Sequence, residues 1–258
     1  MRSFSGVSLS VAVWAALAAG MIGSLQAQTI SSPGITEPIL DSTLGTPVAG
    51  IVAARKFKEG DFVKQGDTLV ELDKSLEQLE VNRREVVLEP LKADYLANKF
   101  LYEQAKSSVS KEILDKKESD YRVALAEYEL AKEQVRKRSI VAPFDGSIAE
   151  IHLQVGEACQ IQQPILRLVD TRRCYFVCNV DAKAGHALRT GLQVGLEIES
   201  GPVPVSVQGN ISFVSPVVDP ASGLMKVKAT FENPEGKVRP GVAGRMTFQE
   251  TANASARK

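Results

Sequence analysis

One long segment without glycine limits what this chain can fold into. Residues 75–138 contain no glycine and one proline, Pro90, and 26 of these 64 positions are charged, 13 of each sign. The segment is rich in Glu, Lys, Arg, Leu, Ala and Gln, which are strong helix formers. The sequence on either side is rich in valine, leucine and glycine with alternating polarity, which is typical of short strands. A helical segment therefore interrupts a β-rich region.

The two β-rich flanks, residues 47–73 and 139–170, repeat one pattern. An offset of 96 positions aligns Pro47 with Pro143 and places apolar residues opposite apolar residues. Each flank is too small to bury its own apolar face, so we expect the two halves to pack into one sandwich. Five glycines fall at the expected turns, where a positive φ favours glycine: Gly50, Gly60, Gly66, Gly146 and Gly156.

Residues 74–138 are predicted to form two antiparallel helices. The polar run Ser107–Ser110 divides the segment into helices of about 32 and 28 residues, and a short polar connection between long helices makes them antiparallel neighbours. We expect Ser110 to cap the second helix and Pro90 to kink or break the first into two pieces. Apolar residues recur every seven positions, the spacing of a coiled-coil seam: Val81, Leu88, Tyr95 and Tyr102, then Leu114, Tyr121, Tyr128 and Val135.

The last third of the chain is predicted to be a small β-barrel. Residues 171–250 alternate apolar and polar positions between regularly spaced glycines. We expect residues 28–46 to contribute to this barrel and residues 251–258 to form a tail.

Cys174 and Cys178 share a strand face about 13 Å apart, too far for a disulfide, which favours buried thiols over a redox pair. Pairing of Cys159 with either of them stays open.

Residues 1–27 have the layout of a secretory signal peptide. One charge, Arg2, precedes an apolar run from Val7 to Ile22, and the small Ala27 suits the position before a cleavage site. The apolar run of about 16 residues is shorter than the roughly 20 that a spanning helix requires, which favours cleavage over a retained anchor. We therefore expect export to an extracytoplasmic compartment.

Charge and motif content argue against several classes of function. The chain has 31 basic and 31 acidic residues, and zero net charge argues against nucleic-acid binding. Two histidines, His152 and His186, are too few for a His-rich zinc site and are expected at the surface or in turns. The sequence has no Gly-x-Ser-x-Gly, His-Glu-x-x-His or Gly-rich phosphate motif. We predict no catalytic, cofactor-binding or metal-binding residues and no enzymatic activity.

Lys74 supports an alternative function. Residues 60–70 resemble biotinyl and lipoyl carrier domains, in which a modified lysine lies at a hairpin tip between two sandwich halves. Lys74 follows the first half in a similar context, so a carrier modified on Lys74 is the alternative. A swinging arm needs a tight turn, however, whereas about 65 residues separate the halves here, and Asp73 and Ser75 fit a helix cap.

The combination of segments resembles the periplasmic adaptor family of tripartite efflux and secretion systems, the HlyD-like and RND membrane-fusion proteins. Residues 141–146 (Val-Ala-Pro-Phe-Asp-Gly) open the second half, and residues 233–242 are similar to the end of the family's barrel. The resemblance implies an α+β, mostly β fold: an unmodified, split lipoyl-like sandwich with an inserted coiled-coil hairpin, then a β-barrel. It also implies a periplasmic, inner-membrane-associated location. About eight residues follow Glu250, so we expect the membrane-proximal domain of many members to be largely missing.

The same resemblance implies partners. In the family, adaptors stack into a ring, the hairpin extends the ring toward an outer-membrane, TolC-like channel, and the barrel side faces an inner-membrane transporter of RND or ABC type. The implied partners are this transporter, this channel and further copies of the chain. Channel docking is implied at the hairpin turn, where Lys99 replaces an arginine and keeps its charge without its bidentate geometry. The implied docking residues are Lys99, Phe100, Val109, Ser110 and Asp115.

Overall fold

The computed structural model describes residues 29–104 and 109–249. The predicted signal peptide, residues 1–27, and the predicted tail, residues 251–258, lie outside them. The elements in the first part are β1 (Thr29–Gly45), β2 (Gly50–Arg55), β3 (Phe62–Val63), β4 (Thr68–Leu72), α1 (Ser75–Gln104) and α2 (Lys111–Lys137). Those that follow are β5 (Ser139–Val141), β6 (Gly146–Ile151), β7 (Ala158–Cys159), β8 (Pro164–Asp181), α3 (Ala182–Gly185), β9 (Gln193–Ile198), β10 (Val205–Val214), β11 (Leu224–Glu232) and β12 (Ala243–Gln249).

Six strands close into a barrel. They pair in the order β1-β12-β9-β10-β11-β8, and antiparallel pairing of β1 with β8 completes the cylinder. The alternating apolar residues that predicted this barrel point inward, and Phe176, Leu196, Ile198 and Met246 are fully buried in its core. β1, from the predicted N-terminal extension, therefore supplies a wall of the barrel.

The two halves of the repeat complete one sandwich by pairing with each other. β3 of the first half pairs with β6 of the second, β4 pairs with β5, and β2 pairs with β7, all antiparallel. Leu69, Leu72, Ile165 and Leu168, which the repeat aligned, are all fully buried in the shared core. The predicted fold class, mostly β with an inserted helical hairpin, is confirmed.

Three of the five predicted turn glycines adopt the conformation that favours glycine, and two do not. Gly60, Gly66 and Gly156 have φ values of 88°, 88° and 91°. Gly50 and Gly146 were wrongly predicted as turns, since they begin β2 and β6. A Cβ at Gly50 would lie 2.6 Å from a guanidinium nitrogen of Arg138, and one at Gly146 would lie 2.5 Å from the Val169 carbonyl oxygen. Close packing against the backbone therefore requires glycine at Gly146, whereas the close neighbour of Gly50 is the end of a long side chain that can move.

α1 and α2 form the predicted antiparallel hairpin. Val81 and Leu88 are buried between the helices, and the rings of Tyr95 and Tyr121 stack with centroids 5.5 Å apart. Small residues of α2, Ala124 and Ala131, are buried opposite them. These buried side chains and stacked rings lie at positions of the predicted seven-residue seam.

The predicted division of the first helix at Pro90 is wrong. α1 is one helix of 30 residues with Pro90 in its interior. Proline costs about 3 kcal/mol within a helix because it removes a hydrogen bond and crowds the preceding turn. Leu88 is buried and Tyr95 stacks on Tyr121, so packing against α2 holds the helix on both sides of the proline.

The three cysteines are free and buried. Cys159 belongs to the sandwich core, whereas Cys174 and Cys178 belong to the barrel core. Cys159 therefore forms no disulfide with either of them, which decides the question that the sequence left open. Burial raises the pKa of the Cys174 thiol to about 11 and that of Cys178 to about 12, which keeps both protonated. His152 and His186 are solvent-accessible, as predicted.

No helix within residues 29–104 or 109–249 combines the length and the apolar character that crossing a bilayer requires.

Candidate functional site

The candidate docking site is the hairpin tip, which comprises residues 99–104 at the end of α1 and residues 109–115 at the start of α2. Ser110 is the N-cap of α2, with extended backbone angles of −73° and 153°. Its Oγ accepts a hydrogen bond from the Ile113 N–H at 3.3 Å, and Glu112 places a negative charge in the first turn. Both features stabilise a helix start. The predicted cap is confirmed.

Two predicted docking residues of α1 face solvent. The Phe100 ring is 61% exposed, which is unusual for a large aromatic side chain. Lys99 is also exposed, and its ammonium group lies 6.0 Å from the centre of the Tyr95 ring. The tip therefore offers an apolar surface beside a positive charge.

The predicted docking residues of α2 divide between surface and interior. Asp115 is exposed and lines a shallow groove on the outer face of α2 with Ser119 and Arg122. Val109 is only 8% exposed. Because its side chain is buried, the position of Val109 does not support a direct contact with a docking partner.

Sequence reasoning missed two apolar residues at the tip. Leu101, which follows Phe100, and Ile113, which lies three residues after Ser110, are both about half exposed. The available signal was their position outside the seven-residue seam, because a large apolar residue off the seam of a two-helix hairpin has no partner helix to cover it.

The base of the hairpin is fixed to the sandwich by Arg138. Its guanidinium group donates to the Ala49 carbonyl at 2.9 Å and pairs with the Glu77 carboxylate at 2.5 Å. The Arg138 carbonyl accepts from the Leu72 N–H at 2.8 Å. One residue therefore joins α1, the end of α2, strand β4 and the residue that precedes β2, so that the sandwich sets the direction of the hairpin.

Lys74 lies at the start of α1 and not at the tip of a β-hairpin. Its ammonium group pairs with Glu71 at 2.8 Å. Hydrogen bonds from Lys56 and from Lys74 lower the pKa of the Glu71 carboxyl to about 2, so the carboxylate stays charged. Asp73 accepts from the Ser75 N–H at 3.0 Å, which is the helix-capping arrangement that the sequence favoured.

A second junction connects the sandwich to the barrel through Arg172. Its guanidinium group forms a two-pronged pair with the buried Asp170, reaches Asp145 at 3.3 Å and lies 5.5 Å from the Phe62 ring centre. The Arg172 hydrogen bonds lower the pKa of the Asp170 carboxyl. β8, a single strand of 18 residues, passes through the predicted domain boundary at residue 170 and continues from the sandwich into the barrel.

Replacing Ser110 separates its capping role from any docking role. Ser110→Ala removes the acceptor for the Ile113 N–H, so we expect a loss of about 1 kcal/mol in the free energy of unfolding. Ser110→Asp retains a capping oxygen and should restore this stability in a urea titration. Equal stability of the alanine variant and the wild type would contradict the cap.

Two protein-family models match the sandwich and the barrel of this chain. The description "RND MFP, barrel-sandwich hybrid domain" matches residues 41–171, and "CusB-like, beta-barrel domain" matches residues 177–252. The chain belongs to the RND membrane fusion protein family.

Named relatives agree with this assignment. The chain is 26% identical over 241 residues to the toluene efflux pump periplasmic linker protein TtgD of Pseudomonas putida, and the match covers 84% of this chain and 60% of that protein. The antibiotic efflux pump periplasmic linker protein ArpA of Pseudomonas putida is 27% identical over 253 residues, covering 90% and 66%. The first relatives in this comparison are matched over 56% to 60% of their length, so the chain spans little more than half of them.

Solved structures show the same fold. A MacA–MexA chimera containing the Pseudomonas aeruginosa MexA α-hairpin domain superimposes with a TM-score of 0.74 at 20% identity, covering 86% of this chain and 79% of that one. A putative efflux transporter from Bacteroides eggerthii gives 0.69 at 20% identity, covering 88% and 70%. At these identities the comparison supports the architecture alone.

Proposed function

We propose that this chain is a non-enzymatic periplasmic adaptor that oligomerises and links an inner-membrane transporter of RND or ABC type to an outer-membrane, TolC-like channel. The observation that carries the proposal is a hairpin of 30- and 27-residue helices inserted into a sandwich of the RND membrane fusion family. Relatives named as periplasmic efflux linkers support a periplasmic, inner-membrane-associated location.

The shape of the hairpin favours a role in contacting a distant partner over a role in catalysis. Thirty helical residues extend about 45 Å at 1.5 Å per residue. In the described parts of α1 and α2, a two-helix cross-section buries a single seam, which is a small core for a catalytic body. Ion pairs between the helices, Arg84 with Glu127 and Lys117 with Asp94, add to the seam, and Arg138 fixes the base. A stiff arm of this kind holds its tip at a set distance from the sandwich.

The tip supplies the docking surface for the channel in this proposal. Phe100, Lys99 and Asp115 are exposed and provide an aromatic anchor with one charge of each sign. Ser110 and Val109 contribute indirectly, since Ser110 holds the start of α2 and Val109 is buried. The tip surface thus rests on a capped and packed turn.

Shortening the hairpin tests this function. Deleting residues 82–88 together with the facing residues 124–130 removes one seven-residue repeat from each helix, which keeps the seam in phase and shortens the arm by about 10 Å. We expect a folded protein that no longer restores tolerance to the exported compound in a strain lacking the chain, whereas the full chain does. Full restoration by the shortened protein would contradict a role in spanning a fixed distance.

A further inference from the structure

Two tyrosines of the hairpin form a stacked pair between α1 and α2. The rings of Tyr95 and Tyr121 are nearly parallel, with an angle of 5° between their planes and 5.5 Å between their centroids. Both residues are partly exposed, so water and small solutes reach them. The seam therefore holds two phenols side by side without sealing them from solvent.

Nearby contacts keep the two rings opposite each other. The carboxylate of Asp94, the residue before Tyr95, pairs with the ammonium group of Lys117 at 2.9 Å, one helical turn before Tyr121. Toward the base of the hairpin, Leu88 and Ala124 are buried in the seam. An ion pair and packed side chains thus oppose sliding of one helix along the other.

The remaining tyrosines are placed differently. The chain has five tyrosines, and the other three are Tyr102, Tyr128 and Tyr175. In the part of the chain that the structure describes, none of these three stacks on a second tyrosine ring. Tyr128 is nevertheless partly exposed and lies seven residues from Tyr121 on the same helix, with the Lys132 ammonium group 5.1 Å from its ring centre. Stacking therefore distinguishes the pair from an otherwise similar tyrosine.

Two adjacent tyrosines can couple under a one-electron oxidant. Each phenol loses one electron and one proton and becomes a phenoxyl radical, whose unpaired electron is shared with the ring carbons beside the C–O bond. A C–C bond forms between two such carbons, and the hydrogen on each of them moves to the oxygen, which restores both phenols. The oxidant takes both electrons (persulfate, for example, is reduced to two sulfate ions), and both protons pass to water. Rings that are held next to each other couple faster than rings on separate molecules.

We propose that Tyr95 and Tyr121 are an oxidative modification site, at which a one-electron oxidant joins the two rings of one chain into a dityrosine. The new bond ties α1 to α2 and encloses residues 96–120 in a covalent loop. Such a loop restricts the unfolded chain, as a disulfide does, so the modified hairpin resists unfolding. This inference goes beyond the proposed function and does not depend on it.

Photo-oxidation of the purified full-length protein by a ruthenium complex and persulfate tests the proposal. Trypsin cleaves after lysine and arginine, so it releases residues 93–99 and 118–122 with one tyrosine each. By mass spectrometry, we expect these two peptides joined, with a mass two hydrogen atoms below their sum, in protein that migrates as a single chain. The thermal unfolding of this modified protein should move to higher temperature.

Single phenylalanine variants provide the controls. Tyr121→Phe keeps an aromatic ring at the stacked position but lacks the phenol, so the joined peptide and the stabilisation should both be lost. Tyr128→Phe is the matched control from the same helix and should couple as the wild type does. Circular dichroism of both variants should match that of the wild type, and wild-type protein unfolded in urea should lose the preference for this pair of peptides.

Absence of the joined peptide from oxidised, folded wild-type protein would overturn the inference. Equal loss of that peptide in Tyr128→Phe would contradict it as well, and so would linkage found only in chains that migrate as dimers. Equal coupling in folded and in urea-unfolded protein would show that the stacked arrangement does not direct the reaction.

Discussion

Replacing Phe100 by alanine is expected to weaken binding to the proposed outer-membrane channel at least about tenfold, which corresponds to about 1.4 kcal/mol or more. The ring is 61% exposed at the hairpin tip, so it contributes little to folding and is free to enter a pocket of a partner. Thermal unfolding of the variant should match that of the wild type. Binding of the purified protein to the purified channel, measured at fixed salt, checks the prediction.

Phe213→Ala is the matched control. Phe213 is also an exposed phenylalanine, but it lies on β10 of the barrel. This variant should bind the channel as tightly as the wild type. Equal channel affinity of the two variants would show that Phe100 is not part of the docking site. A lowered melting temperature for Phe100→Ala would show that the ring is needed for folding.

Replacing Gly34 by alanine is expected to destabilise the barrel by about 3 kcal/mol. Gly34 lies where β1 pairs with β12 on one side and β8 on the other, opposite Gly244 and Cys178. An added Cβ would clash with the Val177 carbonyl oxygen and would lie 2.7 Å from the Phe176 ring. Since Phe176 is fully buried and the carbonyl belongs to the backbone, the strands themselves must separate.

Gly195→Ala provides the comparison for Gly34→Ala. Its added Cβ would meet the Thr247 hydroxyl at 2.7 Å, and a side-chain hydroxyl can rotate away. We expect a loss of less than about 1.5 kcal/mol for this variant. Equal free energies of unfolding for the two variants in urea would show that the closure of β1 on β8 is not tightly packed.

The sequence was sufficient to predict the parts of the fold that depend on periodicity. The repeat aligned Leu69 with Ile165 and Leu72 with Leu168, and all four are buried together. The seven-residue spacing similarly predicted which faces of α1 and α2 meet. Periodicity reports burial directly, because it records which side of an element must avoid water.

Features that depend on contacts distant in sequence were not predictable. Gly50 and Gly146 resemble turn glycines in the sequence, yet both lie in strands, beside neighbours, Arg138 and Val169, that only the folded chain brings close. The continuity of α1 through Pro90 depends on packing against α2. Local propensity cannot anticipate such packing, since tertiary contacts override it.

The candidate site was predictable in part. The position of the tip and the Ser110 cap follow from the polar break and from helix-capping preferences. The burial of Val109 does not follow from these signals, whereas the exposure of Leu101 and Ile113 agrees with their position outside the seven-residue seam.

A photo-reactive amino acid placed at position 100, in living cells, tests the central claim most directly. Irradiation should link the adaptor to an outer-membrane channel protein identified by mass spectrometry, and the same probe at position 213 should not. Adducts with the channel from position 213 alone, or none with any outer-membrane protein from position 100, would contradict the account of the hairpin as the arm that meets the channel.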